Sequence, residues 1–191
     1  MVKRVLKRGF TLVELMIVVA IIGVLAALAI YGVRKYLNNA KTAEAREAIG
    51  RIGKDASAAY NRENMAATLM ELTKSAGVSN RLCGTSTLVP TEITAVAGQK
   101  YQSSPKEWNS GDATTGWACL KFTMQDPQYF MYQYTSADPT ATDAKFTATA
   151  NGDLNADGTT STFSLQGGIA YDGKTAVMRV APNISEDKPE E

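Results

Sequence analysis

The chain has 191 residues with 20 basic and 19 acidic side chains, which gives a formal net charge of +1. This balance leaves no basic footprint of the kind that binds nucleic acid. The chain contains no histidine and only two cysteines, so it lacks the commonest general base and the commonest zinc ligand. The composition therefore argues against a zinc protein or a histidine-dependent enzyme, and the length predicts one domain plus a long helix.

The N-terminal segment is first basic and then strongly apolar. Four basic residues precede Phe10, and Glu14 is the one charged side chain in residues 10–30. A helix of that length spans roughly 30 Å, the thickness of a bilayer's hydrocarbon core. Because basic flanks stay in the cytoplasm, we expect a membrane helix with the rest of the chain exported. An ordinary cleaved signal is disfavoured, since the run continues into an amphipathic helix without a break.

Glu14 is costly in such a helix. An ionised carboxylate near the membrane centre costs about 2.5–3.5 kcal/mol on insertion scales, so it usually has a partner. No lysine or arginine lies between Phe10 and Val33. The partner of Glu14 must therefore come from outside the apolar run. One candidate partner is the α-amine that cleavage between Gly9 and Phe10 would create, in the same chain or in a neighbour.

The stretch GFTLVELMIVVAIIGVLAALAI, residues 9–30, resembles the leader junction and N-terminal helix of type IV pilins, and is type IVa major-pilin-like. The resemblance implies that a prepilin peptidase cuts after Gly9 and N-methylates Phe10. It also implies that Glu14 neutralises the amine of an adjoining subunit. Gly23 matches the glycine at which the filament helix of relatives begins to lose regularity. A generic signal anchor with a stray glutamate is the alternative interpretation.

Tyr31 departs from the family pattern, because many type IV pilins have a proline there. Proline removes an N–H donor and costs a helix about 3 kcal/mol, whereas Gly32 costs only about 1 kcal/mol relative to alanine. We therefore predict an unbroken helix through Gly23 and Gly32 in the isolated subunit. Beyond it, apolar residues recur at helical spacing to about Tyr60. The segment NMAATLMELTKSAG, residues 64–77, predicts a second, short helix.

The two cysteines, Cys83 and Cys119, lie beyond the predicted membrane helix, in an oxidising compartment. A disulfide is the expected state there, and two free thiols would need a reducing compartment. Closing the 37-residue loop stabilises the fold by about 4 kcal/mol in chain-entropy terms. We expect the bond to tie the helix–sheet connection to the first strand of a sheet.

The apolar period changes to two beyond Gly116, which predicts strands. The predicted strands include WACLKFTM, YFMYQYT, KFTATANGDL and TTSTFSLQ, and GIAYDGKTAVMRV adds a further hairpin. The fold class is α+β, with a long N-terminal helix packed on an antiparallel sheet of four or more strands; the tail SEDKPEE is predicted to be disordered. We expect six segments: 1–9 leader peptide, 10–31 membrane and filament-core helix, 32–62 amphipathic helix, 63–116 connecting loop region, 117–182 antiparallel sheet and 183–191 acidic tail.

One loop has the spacing of a calcium site. Asp153, Asn155, Asp157 and Ser161 alternate as in a calcium loop whose sixth position is glycine, here Gly158. The twelfth position should offer a bidentate glutamate, but it is a serine. The competing interpretation, which we favour, is a hairpin turn that uses Asp-Gly for its backbone angles.

The resemblance implies a structural subunit of a type IV pilus, with roles in surface motility and adhesion, no enzymatic activity and no cofactor apart from the calcium candidate. The implied partners are further copies in a helical homopolymer, the prepilin peptidase, the assembly ATPases and platform protein, and a secretin. The implied location is the inner membrane for the subunit pool and the extracellular pilus after assembly, with no nucleic-acid partner.

Three alternatives stay open. A pseudopilin of a type II secretion system shares the leader and the helix, and so does a minor pilin. From another class, a signal-anchored periplasmic enzyme or binding module would need polar groups that converge in a pocket, and the sequence offers no such set.

Overall fold

The computed structural model describes residues 9–62, 80–173 and 175–189. Its elements, in addition to two short 3₁₀ turns, are α1 (Leu12–Tyr60), α2 (Gly116–Leu120), β1 (Met131–Ser136), β2 (Lys145–Gly152), β3 (Ser161–Asp172), β4 (Thr175–Val180) and β5 (Ser185–Asp187). The predicted α+β fold, a long N-terminal helix with an antiparallel sheet, is confirmed. The helix predicted for residues 64–77 lies outside the described residues.

The chain divides into two compact units, Met1–Leu37 and Asn38–Glu191, and each is described by itself. In the first unit, α1 runs without a break through Gly23 and Gly32. This confirms the prediction made from Tyr31: neither glycine alone interrupts a helix that has no proline.

The second unit, called the head below, packs the C-terminal part of α1 on the sheet. The buried face of the helix consists of Thr42, Ala45, Ala48, Ile49, Ile52, Gly53, Ala56, Ala59 and Tyr60. Most of these side chains are small, so the helix lies close to the strands. At Gly53 the approach is tightest, because an added Cβ would lie 2.7 Å from Cδ2 of Leu165.

The sheet is antiparallel, with the strand order β1-β2-β3-β4, and β5 also pairs with β3. Burial alternates along β1 to β3, as the period-two pattern predicts. The largest core side chains on these strands are Tyr132, Tyr134, Phe146 and Phe163. The hairpin between β3 and β4 pairs Asp172 with Thr175, which confirms the turn predicted from Asp-Gly.

The first predicted strand, WACLKFTM, was wrong, because its start is helix α2 and the sheet begins only at Met131. Lys121 ends α2 in the left-handed conformation, with φ of 63°, and its N–H donates to the carbonyl oxygen of Trp117. This reversal buries both Leu120 and Phe122. The alternation that indicated a strand therefore comes from the end of a helix.

The acidic tail was also predicted wrongly over Ser185–Asp187, which forms β5 on the edge of β3. The side chain of Arg46 on α1 holds this strand through two bonds to Glu186. Nε donates to Oε1 at 2.7 Å, and a terminal nitrogen donates to Oε2 at 2.9 Å. The sheet therefore extends to Asp187 rather than ending at residue 182.

Candidate processing and assembly site

The start of α1 is closed by two residues that bond to each other. The backbone N–H of Thr11 donates to Oε2 of Glu14 at 2.9 Å, and its hydroxyl donates to the same oxygen at 2.7 Å. The N–H of Glu14 donates in return to the Thr11 hydroxyl at 3.3 Å. This is a capping box, which satisfies backbone donors that a helix start leaves without partners.

From the sequence, an amine is the predicted partner of Glu14, and its bonds to Thr11 were not predicted. The signal was present, because Thr11-Leu12-Val13-Glu14 has the T-x-x-E spacing of a capping box. Glu14 therefore has two tasks available to it. Oε2 caps its own helix, and its negative charge follows, by four positions in the sequence, Phe10, the residue that cleavage after Gly9 would make N-terminal.

The surface of α1 in the first unit is apolar and exposed. Its most hydrophobic window has a mean hydropathy of 2.9 and contains no buried residue, so the helix is long and apolar enough to cross a membrane. Phe10 is 85% exposed, and a Cβ added at Gly23 would meet nothing within 4 Å. Such a surface is suited to a bilayer or to other helices, and small residues such as Gly23 permit close helix contacts.

Cys83 and Cys119 form the predicted disulfide, with Cα atoms 5.8 Å apart. The expectation that it reaches a strand is corrected, because Cys119 lies on α2. Backbone bonds reinforce the link on both sides: Gly84 N–H donates to the Thr114 carbonyl, and Gly116 N–H donates to the Gly84 carbonyl. The disulfide therefore joins two parts of the long connection that precedes the sheet.

The candidate calcium loop is closed by its own hydrogen bonds. The buried carboxylate of Asp153 accepts the backbone N–H groups of Asp157 and Gly158 at 3.2 and 3.0 Å. Oδ1 of Asn155 accepts the N–H of Asp157, and Oδ1 of Asp157 accepts that of Thr159. These bonds are those of the turn interpretation. The Ser161 hydroxyl points elsewhere and donates to the Gly152 carbonyl.

The described residues contain no group of three or more histidine, cysteine, aspartate or glutamate side chains placed to hold a metal.

The acidic side chain of Glu44, in the head, has an unusual environment. Glu44 Oε1 accepts the N–H of Tyr129 at 2.8 Å and the hydroxyl of Tyr132 at 3.2 Å. Burial raises the pKa of Glu44, although the bonds to Tyr129 and Tyr132 and the nearby Lys100 oppose the shift. No pattern in the sequence predicts this contact between the helix and the sheet.

Comparison with known protein families gives a match at the N-terminus of the chain. The model of the prokaryotic N-terminal methylation motif matches residues 4–30, which include Gly9, Phe10, Glu14 and Gly23. No curated protein and no solved structure matches the chain. The chain therefore carries the prokaryotic N-terminal methylation motif, the class III leader of type IV pilins, and this motif supports a pilin-like or pseudopilin subunit.

Proposed function

We propose that this chain is the structural subunit of a type IV pilus. A prepilin peptidase cuts it after Gly9 and methylates Phe10, and the apolar part of α1 then enters a helical filament core. The observation that carries the proposal is the apolar surface of this helix, which is exposed along its most hydrophobic window, next to a matched methylation motif.

The membrane and the filament are two successive environments for the same surface. An apolar helix of this length does not leave a bilayer spontaneously, so extraction needs energy from the assembly ATPases and capture by the growing helix bundle. The platform protein and the secretin are the corresponding partners in the envelope. The head, with its own core and disulfide, then lies outside the cell, where motility and adhesion are its proposed roles.

The pseudopilin of a type II secretion system is the second candidate, because it shares the same leader. Deletion of the gene, followed by complementation at native expression, separates the two. We expect loss of surface filaments and of surface motility, with filaments in the complemented strain that an antibody to the head labels. Normal filaments in the deletion strain, together with loss of exported enzymes, would assign the chain to secretion instead.

A further inference from the structure

Part of the solvent-facing side of the sheet is an array of uncharged polar side chains, although Asp187, which pairs with Thr162, lies in the next row of the same face. On the face opposite the buried Phe163 and Leu165, the pairing of β2, β3 and β5 places Thr149, Ser164 and Ser185 side by side. The next register row places Thr147 beside Gln166. Strands lie about 4.8 Å apart, so these groups form a flat grid of hydroxyls and amides.

Two cations border this grid on either side of a glycine. Lys145 pairs with Gly168, and Gly168 pairs with Arg179, so the two cations stand two strand spacings, roughly 10 Å, apart. Lys145, Gly168 and Arg179 line an open hollow of about 430 Å³ together with Thr147 and Gln166. Lys145 and Arg179 are exposed, and within the described part of the chain neither has an acidic side chain at salt-bridge distance.

We propose that this face, defined by Thr147, Gln166, Lys145, Gly168 and Arg179, binds an acidic polysaccharide whose carboxylates are carried on sugar rings. Hydroxyl and amide side chains can both donate and accept hydrogen bonds, which matches the hydroxyls of a sugar chain. The arginine and the lysine, at the edge of the open hollow, provide charge-assisted bonds for carboxylates.

The charge density favours a glycan over a nucleic acid. Each DNA strand carries a phosphate about every 3.4 Å, and proteins that bind it neutralise several phosphates with clustered cations. This face offers two cations roughly 10 Å apart, separated by a glycine, and neutral groups elsewhere on the grid. A polymer with sparse carboxylates among many hydroxyls therefore complements it better.

The inference rests on the proposed function, because a filament would hold this face outside the cell and repeat it along its length. Two exposed charge contacts and a polar grid give weak binding to one copy. Repetition raises the effective concentration of the second and later contacts, so a filament could hold a long polysaccharide firmly.

The test uses the full-length chain in detergent micelles, captured densely on a biosensor surface in buffer of about 0.15 M ionic strength. The probes are polygalacturonate, neutral dextran and duplex DNA. We expect polygalacturonate to bind and dextran not to bind. Lys145→Gln combined with Arg179→Gln should weaken binding about tenfold, whereas Lys54→Gln with Lys106→Gln, which removes two exposed cations elsewhere, should leave it unchanged.

The Thr147→Val variant tests the grid without a change in charge, and it should also weaken polygalacturonate binding. If both double variants lose polygalacturonate binding equally, net charge alone explains the binding, and the proposal is overturned. Tighter binding of DNA than of polygalacturonate through the same two cations would overturn it too. The binding experiment does not need a filament. If polygalacturonate does not bind, the pilus proposal is unaffected. If the gene-deletion experiment shows that the chain does not form pili, the measured binding is unaffected.

Discussion

Thr11 and Glu14 cap α1 together, since the glutamate accepts both the N–H and the hydroxyl of the threonine while its own N–H donates back. The bonds give Glu14 a structural role within one chain, in addition to the proposed charge pairing with an amine of another subunit during assembly. Two substitutions separate these tasks, because glutamine can accept the same bonds without carrying the charge.

We expect Glu14→Gln to be cleaved and inserted in the membrane like the wild type, yet to give few filaments. The amide keeps the cap, but it cannot neutralise an α-amine in the apolar bundle. Thr11→Val is the matched control, because it weakens the cap by about 1 kcal/mol and keeps the charge, so most filaments should remain. Sheared-filament yield per cell is the measurement. A normal yield from Glu14→Gln would show that capping alone explains this residue.

Gly50 and Gly53 lie about one turn apart on α1 but differ in the free space around them. A Cβ at Gly50 meets nothing within 4 Å, whereas one at Gly53 would lie 2.7 Å from Leu165 Cδ2. Gly50→Ala should therefore raise the free energy of unfolding by about 0.5–1 kcal/mol through helix propensity. Gly53→Ala gains the same propensity but overpacks the core, which costs about 1–3 kcal/mol.

Urea unfolding of the full-length chain in detergent, followed by the fluorescence of the buried Trp108 and Trp117, measures this difference. We expect Gly53→Ala to be less stable than Gly50→Ala by at least about 1 kcal/mol. Equal stabilisation by the two alanines would mean that Leu165 moves aside freely and that the close helix–sheet approach is not a constraint.

Glu44 should make the stability of the head depend on pH. Because burial raises its pKa above the ordinary value of 4.5, the folded chain binds more protons than the unfolded chain between these two pKa values. The contribution of Glu44 to stability is therefore complete below pH 4.5 and is lost as the pH rises through the folded pKa. Lys100 and Asp126 face the same carboxylate with opposite effects.

Glu44→Gln removes this titration while its amide oxygen can still accept the N–H of Tyr129. We expect the variant to be more stable than the wild type at pH 7.5, with an advantage that shrinks towards pH 4. Glu47→Gln, one turn away in an exposed position, is the charge-matched control. The comparison is made within each pH, because acids with lowered pKa values such as Glu186 make both proteins less stable on acidification. A Glu44→Gln advantage that does not vary with pH would contradict the assignment.

Asp153 should hold its loop without a metal, since its carboxylate already accepts two backbone N–H groups. We expect Asp153→Ala to lower the free energy of unfolding by about 1–3 kcal/mol, because it removes the two hydrogen bonds to a charged carboxylate that close the loop. The melting temperature of the wild type should not change with millimolar calcium or with a chelator. A rise with calcium that Asp153→Ala abolishes would assign the loop to calcium instead.

The features read correctly from the sequence are those with local causes. The apolar run, the absence of proline before Pro90 and the period-two strands each depend on neighbouring residues, and α1 and β1 to β4 follow from them. The disulfide was predictable because the topology assigns both cysteines to one oxidising compartment.

The features that were missed depend on one backbone angle or on distant residues. The segment predicted as a strand is the end of α2, because Lys121 adopts the left-handed conformation. A lysine at that position does not predict this conformation. The acidic tail forms β5 by pairing with β3, and Arg46, 140 positions earlier, bonds to Glu186 on it. In the sequence, Glu44 looks like an ordinary polar residue of an amphipathic helix. Its bonds to Tyr129 and Tyr132 exist only in the folded chain.

Mass spectrometry of surface protein sheared from cells tests directly whether this chain is a cleaved and methylated pilus subunit. We expect an N-terminal peptide that begins at Phe10 and carries one methyl group on its amine. It also predicts that Cys83 and Cys119 are released as one linked pair of peptides, as the disulfide requires. A surface protein that retains Met1–Gly9, or one that begins downstream of Ile30 because an ordinary signal peptidase removed the apolar helix, would contradict it.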